Sequence, residues 1–454
     1  MPIQSINPFN NQLIQEYNEH SDQEIEKALA QAEATYEYWR QVTFAKRSER
    51  MYAAARQLQQ NKGRYAQLMT DEMGKVKKEA IAEVEKCASA CEYYAEHAEQ
   101  FLTEERLSVP DGEAYIAYDP IGPVLAVMPW NFPFWQVIRF AAPNLMAGNV
   151  GILKHASNVS GCALALEEIF REAGFPEGAF QTLLISTDKV GKLLEDQRIK
   201  AATLTGSERA GSSVAQIAGN QIKKTVLELG GSDPFIVLAD ADVDQAAEIA
   251  VKARMINCGQ SCIAAKRFVI HQAVYNDFMT VFMLKMQQLK QGDPNEETTD
   301  YGPMARTDLA GELLGQVKES VTQGARVLLG GDQPDKEGAF LNATVLTNIT
   351  PGMPAYDEEL FGPVASIFPV NSDDEAVRVA NDSRYGLGGS VWTQDINRGK
   401  DLVRQIESGA VYINKMMASH PAVPFGGIKL SGYGRELSYL GIREFVNQKT
   451  VWIS

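Results

Sequence analysis

The 454-residue chain is predicted to be an α/β protein of two doubly wound domains, and three features of the sequence point there. Short apolar runs at 124–128, 150–154, 180–185, 201–205 and 226–229 alternate with stretches of helical periodicity, as in a parallel sheet covered by helices on both faces. A second alternating series begins at Pro234-Phe235-Ile236-Val237-Leu238 and continues to about residue 423. No Pro/Ser-rich tether separates the two series, so a packed crossover near Gly230 is expected between them.

Ser21-Asp22-Gln23-Glu24 has the form of a capping box, and Ile25, Leu29, Tyr36 and Trp39 recur among charged residues behind it. An amphipathic helical stretch is therefore expected to about Gln60. A second runs from Glu72 to Gln100, with Cys87 and Cys91 one turn apart as packing residues. Pro110-Asp111-Gly112-Glu113 is a turn signal, and the alternation in Tyr115-Ile116-Ala117-Tyr118 beside it predicts a surface hairpin strand. The sequence contains no internal repeat and no low-complexity tract.

Composition narrows the function classes. Hydrophobic residues at 45% and charged residues at 22% are ordinary for a globular protein, which argues against disorder. No apolar run approaches the ~18 to 20 residues of a spanning helix, and the first 19 residues lack a basic start and an apolar centre, so a cytoplasmic protein is expected. A net charge of -15 opposes binding to nucleic acid or an anionic membrane, and it means that an anionic substrate would need a local cation. Cys87, Cys91, Cys162, Cys258 and Cys262 form an odd set with no CxxC pair and read as free thiols, while the five histidines are too dispersed for a cluster. No metal is expected.

Two tracts carry chemistry. Cys262 lies in Asn257-Cys258-Gly259-Gln260-Ser261-Cys262, 34 residues after Glu228 of Glu228-Leu229-Gly230-Gly231. A thiolate attacks a carbonyl, and a carboxylate activates the water that releases the resulting thioester. With Met128-Pro129-Trp130-Asn131-Phe132-Pro133 upstream and Glu358-Glu359-Leu360-Phe361-Gly362-Pro363 downstream, these tracts resemble the aldehyde dehydrogenase superfamily in order and approximate spacing. The resemblance runs from Ser5-Ile6-Asn7-Pro8 to Lys449-Thr450-Val451-Trp452. It implies a cofactor-binding domain of 1–102 and 121–229, a catalytic domain of 230–427, and a β-hairpin oligomerisation element of 103–120 with 428–454. A homodimer or homotetramer would follow.

The resemblance also assigns roles. Cys262 would attack the aldehyde, with the Asn131 amide and the Cys262 backbone N–H receiving the oxyanion. Hydride transfer to a nicotinamide would leave a thioester, and Glu228, helped by Glu436, would activate water. The chain has no G-x-G-x-x-G; its substitute is the strand-to-helix turn Thr205-Gly206-Ser207-Glu208-Arg209-Ala210-Gly211, where the backbone of Gly206 and Ser207 would meet a pyrophosphate and Gly211 completes the turn. Lys154 and Ser157 fall where the family holds the adenosine ribose. A neutral serine does not repel a 2'-phosphate and Lys154 offers a charge to it, so NADP is expected as the preferred cofactor, with NAD tolerated. Glu359 matches the residue on the nicotinamide-side ribose, Phe361 packs near the ring, and Trp130 lines the channel. Cys258 is read as a structural residue, with a disulfide to Cys262 as the alternative.

Substrate choice rests on Arg139, eight residues after Asn131, because an arginine in an apolar tunnel is costly unless it meets an anion. Succinate semialdehyde dehydrogenases carry arginine at the matching place, and the bacterial enzymes are similar through Gly230-Gly231-Ser232-Asp233-Pro234-Phe235 and Ala264-Ala265-Lys266-Arg267-Phe268. Trp135, and Ser419 in the loop Asn414-Lys415-Met416-Met417-Ala418-Ser419-His420, would complete a pocket for an aldehyde bearing a carboxylate. Arg139 in a salt bridge with a neighbouring acid remains open, as do glutarate semialdehyde or an uncharged aldehyde as substrate. Of another class is a thiol hydrolase or acyltransferase without nicotinamide, which would need a histidine beside Cys262.

Overall fold

The computed structural model describes residues 2–454. Its first large sheet has six strands in the order Gly432–Tyr433, Lys224–Glu228, Ala201–Thr205, Pro123–Met128, Val150–His155 and Phe180–Thr182. All are parallel except Gly432–Tyr433, which runs antiparallel to Lys224–Glu228. The second sheet has seven, in the order Arg326–Leu329, Thr344–Thr347, Val364–Val370, Arg267–His271, Pro234–Val237, Gly388–Trp392 and Ala410–Ile413, with only the Arg326–Leu329 edge antiparallel. Both sheets are covered on two faces, which is why their strands read as continuous apolar runs rather than as alternation. Val124, Leu125 and Ala126 belong to one apolar core, and Phe235, Ile236 and Val237 to a second. The crossover at 229–233 joins the two sheets directly.

The first long N-terminal helical stretch is divided, the second is continuous over Lys77–Phe101, and a further helix, Lys62–Met73, lies between them. Ser21 and Glu24 form the expected capping box at Asp22–Trp39, and a turn then leads to Thr43, which caps Phe44–Gln60. Gly74, left-handed at φ 72°, ends Lys62–Met73 before Lys77–Phe101 begins. Cys87 and Cys91 are fully buried on that last helix.

The hairpin strand Glu113–Pro120 pairs along its length with Val446–Ile453 and on its other side with Glu105–Leu107, giving an antiparallel three-stranded ribbon. Residues 428–445 do not follow the rest of the tail into it. Ile428–Lys429 pairs with Tyr385–Gly386, and Gly432–Tyr433 closes the edge of the six-stranded sheet. No helix among the described residues is long and apolar enough to cross a membrane.

Helix Trp135–Ala147 follows the strand Pro123–Met128 and is buried at every residue. Its N-terminus is capped from a different helix: Glu83 Oε1 accepts from the backbone N–H groups of Phe134 (3.0 Å) and Trp135 (2.9 Å). The Glu83 carboxylate is also in close contact with the Lys75 ammonium, and both side chains are almost fully buried. Glu83→Gln removes the counter-charge of Lys75 and should destabilise the protein by about 3 to 5 kcal/mol in urea unfolding. Adding Lys75→Met should recover part of that loss; a single variant as stable as the wild type would show that this pair does not hold the helix.

Candidate active site

Cys262 lies between helix Val243–Met255 and strand Arg267–His271, on a loop whose backbone is forced into an uncommon shape. Asn257, Cys258 and Gly259 have φ of 53°, 55° and 73°, a left-handed conformation that costs a non-glycine residue roughly 1 to 2 kcal/mol. Side-chain hydrogen bonds offset that strain. Asn257 Nδ2 donates to the carbonyls of Asn131 (2.7 Å) and Gln260 (3.1 Å), and Gln260 Oε1 accepts from Ala305 N–H (2.9 Å). Lys266 closes the loop: its buried ammonium donates to the carbonyls of Ser261 (2.9 Å), Cys262 (2.9 Å) and Ala264 (3.3 Å) and pairs with Glu359 Oε1 at 3.1 Å. Gly231 permits the approach of the Glu228 tract, since a Cβ there would stand 2.6 Å from the Cys262 carbonyl oxygen.

The half-buried Cys262 opens on a cavity of about 250 Å³, at the carboxyl ends of strands Pro123–Met128, Ala201–Thr205 and Lys224–Glu228. Trp130, Asn131, Gly206, Ser207, Glu359 and Phe361 line it as well. Burial pushes the Cys262 thiol up to about 12, against the opposing charges of Arg139 and Lys266. Asn131 Nδ2 spends one hydrogen on the Gln260 carbonyl at 3.1 Å, which leaves the other for a ligand. Trp130 and Phe361 meet edge to face, 5.7 Å between ring centroids. None of the five histidines lines this cavity.

The turn after Ala201–Thr205 differs from expectation in one respect. The Gly206 N–H is already bonded to the Glu228 carbonyl at 3.0 Å, extending the sheet, so it is not free for a phosphate. Ser207 caps helix Glu208–Asn220 through the Ala210 N–H, and a Cβ on Gly211 would come within 2.7 Å of the Leu229 side chain. Glu359 is likewise engaged, by Lys266 and by the Gly231 N–H at 3.1 Å. Lys154 is 8% exposed on strand Val150–His155 with neither a carboxylate nor a hydrogen-bond partner among the described residues, and burial lowers its pKa. Ser157 is exposed and borders a second cavity of about 410 Å³ shared with Pro8 and Arg306.

Behind Cys262 lie two carboxylates and an arginine. Glu228 ends its strand fully inside the protein, with no hydrogen bond on either oxygen, and Oε1 stands 2.7 Å from where a Cβ on Gly426 would be. It does not line the Cys262 cavity. Arg139, expected in the substrate tunnel, points its guanidinium into a close ion pair with Glu436, reaches Thr205 Oγ1 at 3.2 Å and lies over the Phe425 ring at 4.8 Å. That corrects the expectation for Arg139 in this structure: an acid, not an open tunnel, meets its desolvated charge. Glu436, expected to assist Glu228, is that acid. Burial raises both carboxyls; the charge of Glu436 raises Glu228 further, while the paired Arg139 holds Glu436 back. Trp135 and Ser419 are brought together, Trp135 Nε1 donating to Ser419 Oγ at 3.0 Å. The Cys258 thiol is directed to the Gly302 carbonyl at 3.5 Å, and burial raises its pKa.

Comparison with known proteins places this arrangement. The model of the aldehyde dehydrogenase family matches residues 1–451. The chain belongs to that family. It is 53% identical over 454 residues to a probable succinate-semialdehyde dehydrogenase [NADP(+)] of Synechocystis sp., each chain covered completely. It is 50% identical over 457 residues to succinate-semialdehyde dehydrogenase [NADP(+)] 1 of Mycobacterium tuberculosis, again with complete coverage of both. The crystal structure of succinic semialdehyde dehydrogenase from Streptococcus pyogenes in complex with NADP+ superposes with a TM-score of 0.98 at 39% identity, over 99% of each chain.

Two lysines of this aldehyde dehydrogenase escaped the sequence reading. Lys266 sits in an apolar strand-entry tract, Ala264-Ala265-Lys266-Arg267-Phe268, and a charge pair in such a tract was the available signal. Lys86 had none, lying on an ordinary amphipathic helix, yet its Nζ donates to Ser419 Oγ at 2.7 Å.

The raised pKa of Glu228 fixes a sign. Below about pH 4 the carboxyl is protonated in both states; above it the unfolded chain ionises while the folded one holds its proton, so this residue costs stability increasingly as pH rises. Glu228→Gln cannot ionise. Its urea midpoint should therefore gain on the wild type between pH 5 and 8, and a gap that stays constant or shrinks would contradict the buried, protonated state.

Proposed function

We propose that the chain oxidises succinate semialdehyde to succinate with NADP as the preferred acceptor. The observation that carries this is the cavity joining Cys262 and Asn131 to Ser207, Glu359 and Phe361, in a chain 50–53% identical over its whole length to relatives named for that reaction. The residues present fit the cofactor. Lys154 is a buried cation without a partner, and Ser157 beside it places no negative charge against a 2'-phosphate. Trp130 and Phe361 would hold the nicotinamide end, and Ser207 at the start of helix Glu208–Asn220 would face the pyrophosphate.

In this mechanism the Cys262 sulfur adds to the aldehyde carbonyl, and the developing oxyanion is received by the free hydrogen of the Asn131 amide and the Cys262 backbone N–H. Bound NADP would supply a hydride acceptor. The thiol must first lose its proton, and Lys266 and Arg139 lower the cost of the thiolate. Once the carbon is a thioester on Cys262, Glu228 takes a proton from the attacking water. Neither oxygen of Glu228 is tied to the protein, so no hydrogen bond opposes its rotation toward Cys262, and leaving the buried seat relieves the desolvation that raises its pKa, so that the carboxyl ionises and can serve as a base. The Glu105–Leu107, Glu113–Pro120 and Val446–Ile453 ribbon supports a homo-oligomer, because Trp452 and Ile453 are about half exposed on it and would be covered by a second copy.

A steady-state panel of aldehydes with both cofactors tests the proposal. Succinate semialdehyde should exceed butanal, and NADP should exceed NAD, in kcat/KM; a tenfold preference for NAD or for the uncharged aldehyde overturns the respective part. Cys262→Ala should retain NADP binding by fluorescence titration while turnover falls below roughly a thousandth of wild type. Ser157→Glu should swing cofactor choice toward NAD by placing a negative charge where the 2'-phosphate would lie.

A further inference from the structure

The turn that opens helix Glu208–Asn220 carries an acid where an anionic ligand is expected. Ser207 caps that helix, and Glu208 is its first residue. The first N–H groups of a helix have no intrahelical partner and favour a negative charge beside them. Glu208 already brings one, a single residue from the position proposed to face the pyrophosphate. Its carboxylate is held from the far side of the crossover at 229–233. Arg384 Nη2 donates to Oε2 at 2.7 Å, and the Tyr385 hydroxyl is in close contact with Oε1. Both oxygens are thus engaged by residues 176 and 177 positions later, which lead into strand Gly388–Trp392 of the seven-stranded sheet.

The two holding residues are themselves anchored. Tyr385–Gly386 pairs with Ile428–Lys429, the Arg384 carbonyl accepts from the Leu430 N–H at 3.0 Å, and the Gly386 N–H donates to Ser431 Oγ at 3.0 Å. Tyr385 is 8% exposed, and its ring stands 3.2 Å from where a Cβ on Gly230 would be, so it backs a residue that lines the Cys262 cavity. Burial raises the Tyr385 pKa, as do the bond to Glu208 and the charge of Glu359, so its hydroxyl remains a donor at neutral pH. Arg384 is exposed, and Glu208 is its one carboxylate partner among the described residues. An unopposed Glu208 would repel the negative charges of a pyrophosphate, whereas the pair with Arg384 is neutral. We propose that Arg384 and Tyr385 are cofactor-positioning residues: they neutralise and fix the Glu208 carboxylate, so that the start of helix Glu208–Asn220 can receive the pyrophosphate of NADP.

This rests on the proposed placement of the pyrophosphate at Ser207. Fluorescence titration gives the Kd of NADP for the wild type, Arg384→Met, Glu208→Gln and the double variant. Arg384→Met leaves Glu208 charged and unopposed, and should raise Kd about 10-fold with kcat at saturating NADP little changed. Tyr385→Phe should raise it less. Glu208→Gln should bind NADP at least as tightly as the wild type, and the double variant should return to within about threefold of it, because the charge that Arg384 opposes is gone. The loss in Arg384→Met relative to wild type should also shrink at about 1 M salt, where charges are screened over about 3 Å. A merely structural role for Arg384 would give neither the recovery nor the salt dependence. A double variant as weak as Arg384→Met overturns the proposal, as does an Arg384→Met that binds NADP like the wild type. Ser207→Asp separates this inference from the placement beneath it: aspartate caps a helix as serine does, so the fixed charge alone should weaken NADP binding. If it does not, the pyrophosphate lies elsewhere and both readings fall.

Discussion

The loop that presents Cys262 exists in its observed shape because a single ammonium sits inside it. Lys266 gathers the carbonyls of Ser261, Cys262 and Ala264, of which the last two have no other donor among the described residues, and the carbonyls with Glu359 give the lysine the partners without which it could not be charged there. Each side of the arrangement requires the other. The consequence is geometric: Cys262 and Glu359, nearly a hundred residues apart, face one cavity because both are fastened to the same nitrogen. The left-handed turn at Asn257–Gly259 is the strained part of this loop, and Asn257 ties it to Asn131, so the oxyanion donor and the sulfur are positioned by one network.

Behind that network lie two buried ion pairs. Lys75 with Glu83 and Arg139 with Glu436 are neutral units, each nearly fully excluded from water. Glu228 has no cation of its own and holds a proton instead, while Lys86 and Lys154 have no acid and are held charged at a cost. Lys86 bonds Ser419 Oγ, and Lys154 lies on the strand before Ser157.

Much of the fold was legible in the sequence because its determinants are local. Capping at Ser21, the apolar runs of the parallel strands and the turn at Gly112 are short-range signals, and the structure carries all three. The break at 40–43 was less legible, since helical periodicity passes smoothly through it, and the separate helix Lys62–Met73 was not anticipated. The tail was misgrouped for a different reason: residues 428–433 pair with partners more than forty and more than two hundred positions away, which no local pattern announces. At the site, motif spacing pointed to the cavity-lining residues Cys262, Asn131, Glu359 and Phe361. It could not say that Arg139 would find Glu436, because that contact depends on how the chain returns after almost three hundred residues. Lys86 was invisible for the same reason.

That return has a consequence for how the protein comes to be made. The seat of Glu228 is built from the far end of the chain: Gly426 leaves room for its carboxylate, Ser431 bonds the backbone on either side of Leu229, and Gly432 lies against Leu227. An emerging chain that already includes Cys262 still lacks the wall behind the base, and its six-stranded sheet has an open edge beside Glu228 until the final thirty or so residues leave the ribosome. Assembly of the reaction centre is therefore coupled to the end of translation, and a truncated product would keep its thiol without the setting that tunes the acid behind it.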